Sequence, residues 1–242
     1  MNEYIDPRLD TAISKLGPNH GKIYYHVSTE VFNLQILWSV YFALFRQNQE
    51  RLDVWNSVSG STAYWIERTM FESIVLSICR LTDPVGKGKD TNLSLRLLGR
   101  IVSSEHEVNL GDFLKGAEDK AGSIRKWRNK ILAHTDHDTK IGVAELTNIN
   151  IKSLKEAISA IAVALKKFAE IEMDMEIATV PVRTPFNDEV EFLSAIHLGS
   201  IELQKREKQV ESLFRAGKWQ EAKVFGELPA WLTFRPDHNP LE

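Results

Sequence analysis

The chain has 242 residues, 43% of them hydrophobic and 26% charged, with a formal net charge of −3. That length and composition exclude a disordered or low-complexity protein and leave enough apolar material for a sizeable core. The acidic balance excludes a protein that coats nucleic acid over its whole surface, so any such contact must come from a local basic patch or an assembled cleft.

A single cysteine, Cys79, rules out a disulfide framework within the chain and fits a reducing compartment. It lies in the apolar run Ile74–Cys79 and reads as a small core residue, because apolar surroundings disfavour a thiolate. Residues Met1–Pro7 lack a basic-then-apolar signal pattern, and no run reaches the roughly 18 apolar residues of a membrane span. These features predict a cytoplasmic protein with no membrane contact.

In chain order, a short amphipathic piece from Leu9 to Leu16 is closed by Gly17-Pro18-Asn19. From Ile23 to about Gln49 apolar residues recur at three and four: Val27, Val31, Leu34, Trp38, Phe42 and Phe45. Their aromatic content points to core packing. A second long helix is expected from Leu52 to Leu81, interrupted at Gly60 and stopped before Pro84. The loop Val85–Asn92 carries glycines and lysines but lacks the spacing and the strand-to-helix context of a phosphate-binding P-loop.

Asn92 or Ser94 can cap a helix from Leu93 to Val102. After a polar linker, Leu110 opens a helix with Phe113, Leu114, Ala117, Ala121, Ile124, Trp127 and Ile131 as its buried stripe. A further helix over Ile151–Ile171 turns Leu154, Ile158, Ile161, Leu165 and Phe168 inward. The extended stretch Val180–Pro185 marks a boundary. Beyond it lie an amphipathic helix from Val190 to Phe214 and a short one opened by Gly217-Lys218-Trp219. No strand alternation persists. The expectation is an all-α, up-down bundle of about four long helices over residues 1–180, with a helical C-terminal extension over 181–242.

The richest stretch in chemistry is Arg125-Lys126-Trp127-Arg128-Asn129-Lys130-Ile131-Leu132-Ala133-His134. Lys115, Lys120, Arg125, Lys126, Arg128 and Lys130 outnumber Glu118 and Asp119 there, which suits a polyanion, although a solvated helix face has the same composition. For RNA cleavage, an imidazole can take the 2′-hydroxyl proton and a guanidinium fork can hold the phosphate, with the ribose supplying the nucleophile. His134, Arg128 and Asn129 fit those roles. A histidine just past a helix also serves as a cap or faces solvent. On a regular helix Arg128 and His134 point about 120° apart, so one chain aims both at one phosphate only if the helix changes course. Otherwise a second chain must complete the site. His134, Asp136, His137 and Asp138 include metal-ligand types without metal-site spacing.

Arg128 through His134 resembles the R-x(4–6)-H motif of the HEPN superfamily (higher eukaryotes and prokaryotes nucleotide-binding). With Ile78-Cys79-Arg80-Leu81-Thr82-Asp83-Pro84 and Asn92-Leu93-Ser94-Leu95, the stretch from Ile23 to Ile171 is similar to the branch linked to U-type abortive-infection proteins. The resemblance implies an up-down helical homodimer acting as a metal-independent endoribonuclease in phage defence or as a toxin. Arg128, Asn129 and His134 would be its catalytic residues, with Arg125, Lys126 and Lys130 contacting RNA. An antitoxin or nucleotidyltransferase partner is implied as well. No cofactor and no metal are expected. The alternative is a HEPN-fold module that binds RNA or protein without catalysis. Arg80 and Asp83 read either as a helix-end charge pair or as a brace behind the site.

Overall fold

The computed structural model describes residues 6–86, 91–102, 107–133, 149–180, 188–229 and 232. Helix α1 spans Pro7–Phe45, α2 Gln49–Thr82, α3 Leu95–Ile101 and α4 Glu107–Arg128, the last running into a π-helical turn at Asn129–Ala133. Helix α5 spans Ile151–Met173, α6 Asp188–Arg215 and α7 Trp219–Gly226. The described residues contain no strand, and the all-α expectation is met.

The break expected at Gly17-Pro18 is present inside α1. Gly17 has φ 79° and ψ 169°, a conformation open to glycine, and Pro18 restarts the helix at the position where its missing N–H costs nothing. The two segments then cross so closely that a Cβ on Gly21 would sit 2.6 Å from the backbone of Ile13. The second segment therefore begins at Pro18, one turn before the periodicity suggests. It ends at Phe45, and Asn48 caps α2 by accepting from Arg51 N at 3.2 Å.

In α2 the irregular residue is Ser59 (φ −164°, ψ 92°) rather than Gly60. Its Oγ accepts from Thr62 N and donates to Thr62 Oγ1, so it caps the second half of the helix.

The core is a four-helix contact among α1, α2, α4 and α5. Val27, Val31 and Leu34 of α1, Ile74, Val75 and Ile78 of α2, Ala117, Ala121 and Ile124 of α4, and Leu154, Ile161, Leu165 and Phe168 of α5 join in this core, all essentially inaccessible. Each large apolar side chain so buried contributes about 1.5–3 kcal/mol. A capping box of Asn150 and Ser153 opens α5. Two expected core residues stay half in water. Phe42 is outside because the stripe shifts to Tyr41, Leu44 and Phe45 at the end of α1, and Phe113 flanks the open α4–α5 seam beside Val163.

The C-terminal elements are rooted at the opposite end of the bundle. Phe192 packs on Trp55 with ring centroids 5.8 Å apart, and Leu193 joins the core. After Ser200 no residue of α6 is buried. A glycine cap at Gly217 (φ 73°), with Lys218 N donating to Leu213 O at 3.0 Å, folds α7 back on α6. Arg206 locks the pair by donating to Phe225 O and Glu227 O. The boundary expected after residue 180 falls at 181–187, outside the described residues.

Candidate functional site

The ends of α2 and α4 meet at one corner of the bundle. Pro84 follows Asp83 and keeps it extended (φ −67°, ψ 149°), which stops α2 at Thr82. Thr82 is buried, its Oγ1 donating to Ile78 O at 2.8 Å. Both residues turn toward the last turn of α4. The contact of Phe71 with Trp127, edge to face at 5.5 Å, holds the two helices in register.

Arg125 does not reach for solvent. Its Nη2 donates to Thr82 O and to Thr82 Oγ1, both at 2.7 Å, and its Nε donates to Asp83 Oδ1 at 3.2 Å. Arg128 Nη2 meets the same Asp83 Oδ1 at 3.4 Å. One carboxylate oxygen thus gathers two guanidinium groups from successive turns. Arg128 Nε is buried without a hydrogen-bond partner among the described residues. A guanidinium carries five N–H donors; among the described residues Asp83 accepts from one of Arg128's, which fixes the position of the group.

Cys79 lies one turn before Asp83, buried against this corner. Burial pushes its thiol up, with Arg128 pulling in the other direction, and this supports the core reading over a nucleophile.

The predicted substrate-contacting residues have different surroundings. Lys126 is exposed, Lys130 is half-buried, and Arg125 is committed to Thr82 and Asp83 rather than to the surface. Arg80 and Asp83 do not form a helix-end pair. Arg80 points to Glu30 at 3.7 Å and to Ser77 Oγ at 3.4 Å, away from the corner where Asp83 works. Asn129 is exposed at the start of the π turn. His134 lies outside the described residues, as do Asp136, His137, Asp138 and the lysine and glycine positions 87–89. No group of three or more histidine, cysteine or carboxylate side chains suited to a metal occurs among the described residues.

Sequence reasoning missed Thr82, whose signal was a threonine at the last helical position before Asp-Pro. Of the two caps considered for α3, Ser94 occupies the capping position but makes no side-chain cap bond. Asn92 instead donates to Pro84 O at 2.8 Å, tying the next segment to the turn after α2.

The π turn bears directly on the angular problem of the motif. Five regular steps from Arg128 to residue 133 rotate about 500°, a net of about 140°. With i→i+5 bonding each step turns by roughly 80°, so the winding over Asn129–Ala133 departs from that of a regular helix. The helix thus changes its winding directly after Arg128.

Among the described residues no helix is long and apolar enough to cross a membrane. No curated protein and no solved structure matches the chain. Residues 18–193 match the family model HEPN_AbiU2, described as AbiU2, which covers the bundle from Pro18 into α6, and the chain belongs to this HEPN family of the abortive-infection U2 type.

Proposed function

We propose that the protein is a metal-independent endoribonuclease of phage defence or of a toxin–antitoxin-like system, acting at Arg128, Asn129 and His134. The observation that carries the reading is the convergence of Arg125 and Arg128 on Asp83 at the mouth of the π turn that leads toward His134. Arg128 holds the scissile phosphate and stabilises its pentavalent charge. His134 takes the proton from the ribose 2′-hydroxyl, or returns one to the leaving oxygen, and Asn129 orients the phosphate or the imidazole. The 2′-oxygen bonds to phosphorus as the bond to the 5′-oxygen breaks. The products are a 2′,3′-cyclic phosphate and a 5′-hydroxyl end. In a homodimer the corners of two chains face one another and supply both halves of the site. An antitoxin or a modifying nucleotidyltransferase restrains the enzyme.

The test is incubation of RNA in EDTA with the wild-type protein, Arg128→Ala and His134→Ala. Cyclic-phosphate ends from the wild type alone are expected. Equal cleavage by all three, or none from a confirmed dimer, removes the nuclease reading.

One observation favours a non-catalytic RNA- or protein-binding HEPN module instead: the Asp83 carboxylate already sits on Arg128 and competes with a phosphate. That reading expects RNA binding that survives loss of His134 with no cleavage under any condition.

A further inference from the structure

Helix α2 leaves an aromatic pair in water. From Gly60 to Thr82 the helix is regular, yet Tyr64 is 52% and Trp65 63% exposed. Their rings meet edge to face at 5.4 Å. The surround is unusual for such side chains. Ser61, Thr62 and Thr69 are exposed hydroxyls on the same stretch. The only carboxylate between Val54 and Phe71 is Glu67, and it accepts from Tyr41 Oη at 2.9 Å and is paired with Arg46. The next, Glu72, is covered by Arg68 at 2.8 Å, and Arg68 also reaches the Tyr64 hydroxyl.

The patch therefore offers two π faces, several hydroxyl donors and an arginine, with no unpaired carboxylate. Bases stack on aromatic rings irrespective of sequence, and the phosphates between them accept from hydroxyl and guanidinium groups. A protein partner would instead find an aromatic anchor ringed by apolar side chains. On α2 the other exposed large hydrophobics are Val58, before the kink, and Leu76, three turns on.

Register connects the patch to the corner. Trp65 and Asp83 are eighteen residues apart, which is about five turns, so they lie on one face about 27 Å apart. A single strand stacked at about 3.4 Å per nucleotide spans that distance with about eight nucleotides.

We propose that Trp65 and Tyr64 form a base-stacking subsite for single-stranded RNA, holding the strand about eight nucleotides from the phosphate at Arg128. The proposal takes its ligand from the ribonuclease reading and its geometry from α2 alone. The test measures binding of fluorescein-labelled mixed-sequence RNAs, of four and of fourteen nucleotides, by the full chain carrying His134→Ala. Adding Trp65→Ala should weaken the longer RNA about tenfold or more and leave the shorter one unchanged. Trp65→Phe should recover most of the loss, and the salt dependence should stay the same, because stacking adds no ion pair. Equal losses at both lengths, an unchanged longer RNA, or no binding at all overturns the proposal. A changed mass in sedimentation would assign the face to a second copy and overturn it too. Length-dependent binding without cleavage by the wild type leaves the subsite standing and removes the nuclease. Cleavage of the longer RNA that is indifferent to Trp65 does the reverse.

Discussion

Arg125 and Lys126 are adjacent cations with opposite surroundings, one committed to a helix junction and one left at the surface. Arg125 joins the end of α4 to the end of α2 through three contacts to Thr82 and Asp83. Arg125→Ala should cost about 2 kcal/mol, because charge-assisted bonds are lost and acceptors are stranded. In a thermal melt that is a fall of roughly 4–8 °C. Lys126→Ala should melt like the wild type. Its effect should appear in RNA binding, with the slope of affinity against salt reduced by about one. If Lys126→Ala destabilises and Arg125→Ala does not, the assignment is reversed. The residue types of the corner were legible in the sequence, since a guanidinium next to an Asp-Pro helix stop announces a polar junction. Which guanidinium turns inward was not legible, because it depends on the angle at which α4 crosses α2. The partner of Arg80 was illegible for the same reason. Glu30 is fifty residues away in sequence and is brought near by the antiparallel packing of α1 on α2.

At the scale of elements, glycines distinguish a required bend from a tolerated gap. Gly21 sits where the two segments of α1 cross, and Gly21→Ala should cost about 1–3 kcal/mol, since backbone rather than a flexible side chain blocks the new methyl. Gly116 in α4 has open space at its Cβ position, so Gly116→Ala should stabilise by about 0.5–1 kcal/mol. Urea titrations of the two variants should move the midpoint in opposite directions. Helix existence was readable throughout from spacing at three and four, and α5 matches its expected span within two residues. The kink in α2 came one residue early because the Ser59 hydroxyl supplies a cap that glycine lacks. Phe113 came out exposed because periodicity assigns a residue to a face without saying where the neighbouring helix ends its cover.

For the whole molecule, two tyrosines report on the integrity of the core. Tyr24 and Tyr41 are both pushed up to about 12 by burial, Tyr41 while also bonded to Arg46 and Glu67. The unfolded chain ionises its tyrosines near pH 10, whereas the folded chain keeps these two neutral to about 12. Stability should therefore be flat with respect to them below pH 10 and fall between 10 and 12, by about 2–3 kcal/mol for each. Denaturant melts across that range check this, and Tyr24→Phe should remove one share of the fall. The bundle and its C-terminal helices were legible as a whole, while the way α6 docks was not, since it depends on Phe192 finding Trp55 and Leu193 finding the core. That docking point has a mechanical consequence. Trp55 stacks on Phe45 at 5.2 Å and donates to Leu44 O, so it clasps the turn between α1 and α2. Asp83 is at the other end of α2, about 40 Å away. The α6–α7 hairpin is thus a handle fixed to the far end of the lever whose tip carries the candidate site. A pull on it loads the clasp first and reaches Arg128 only along the length of α2.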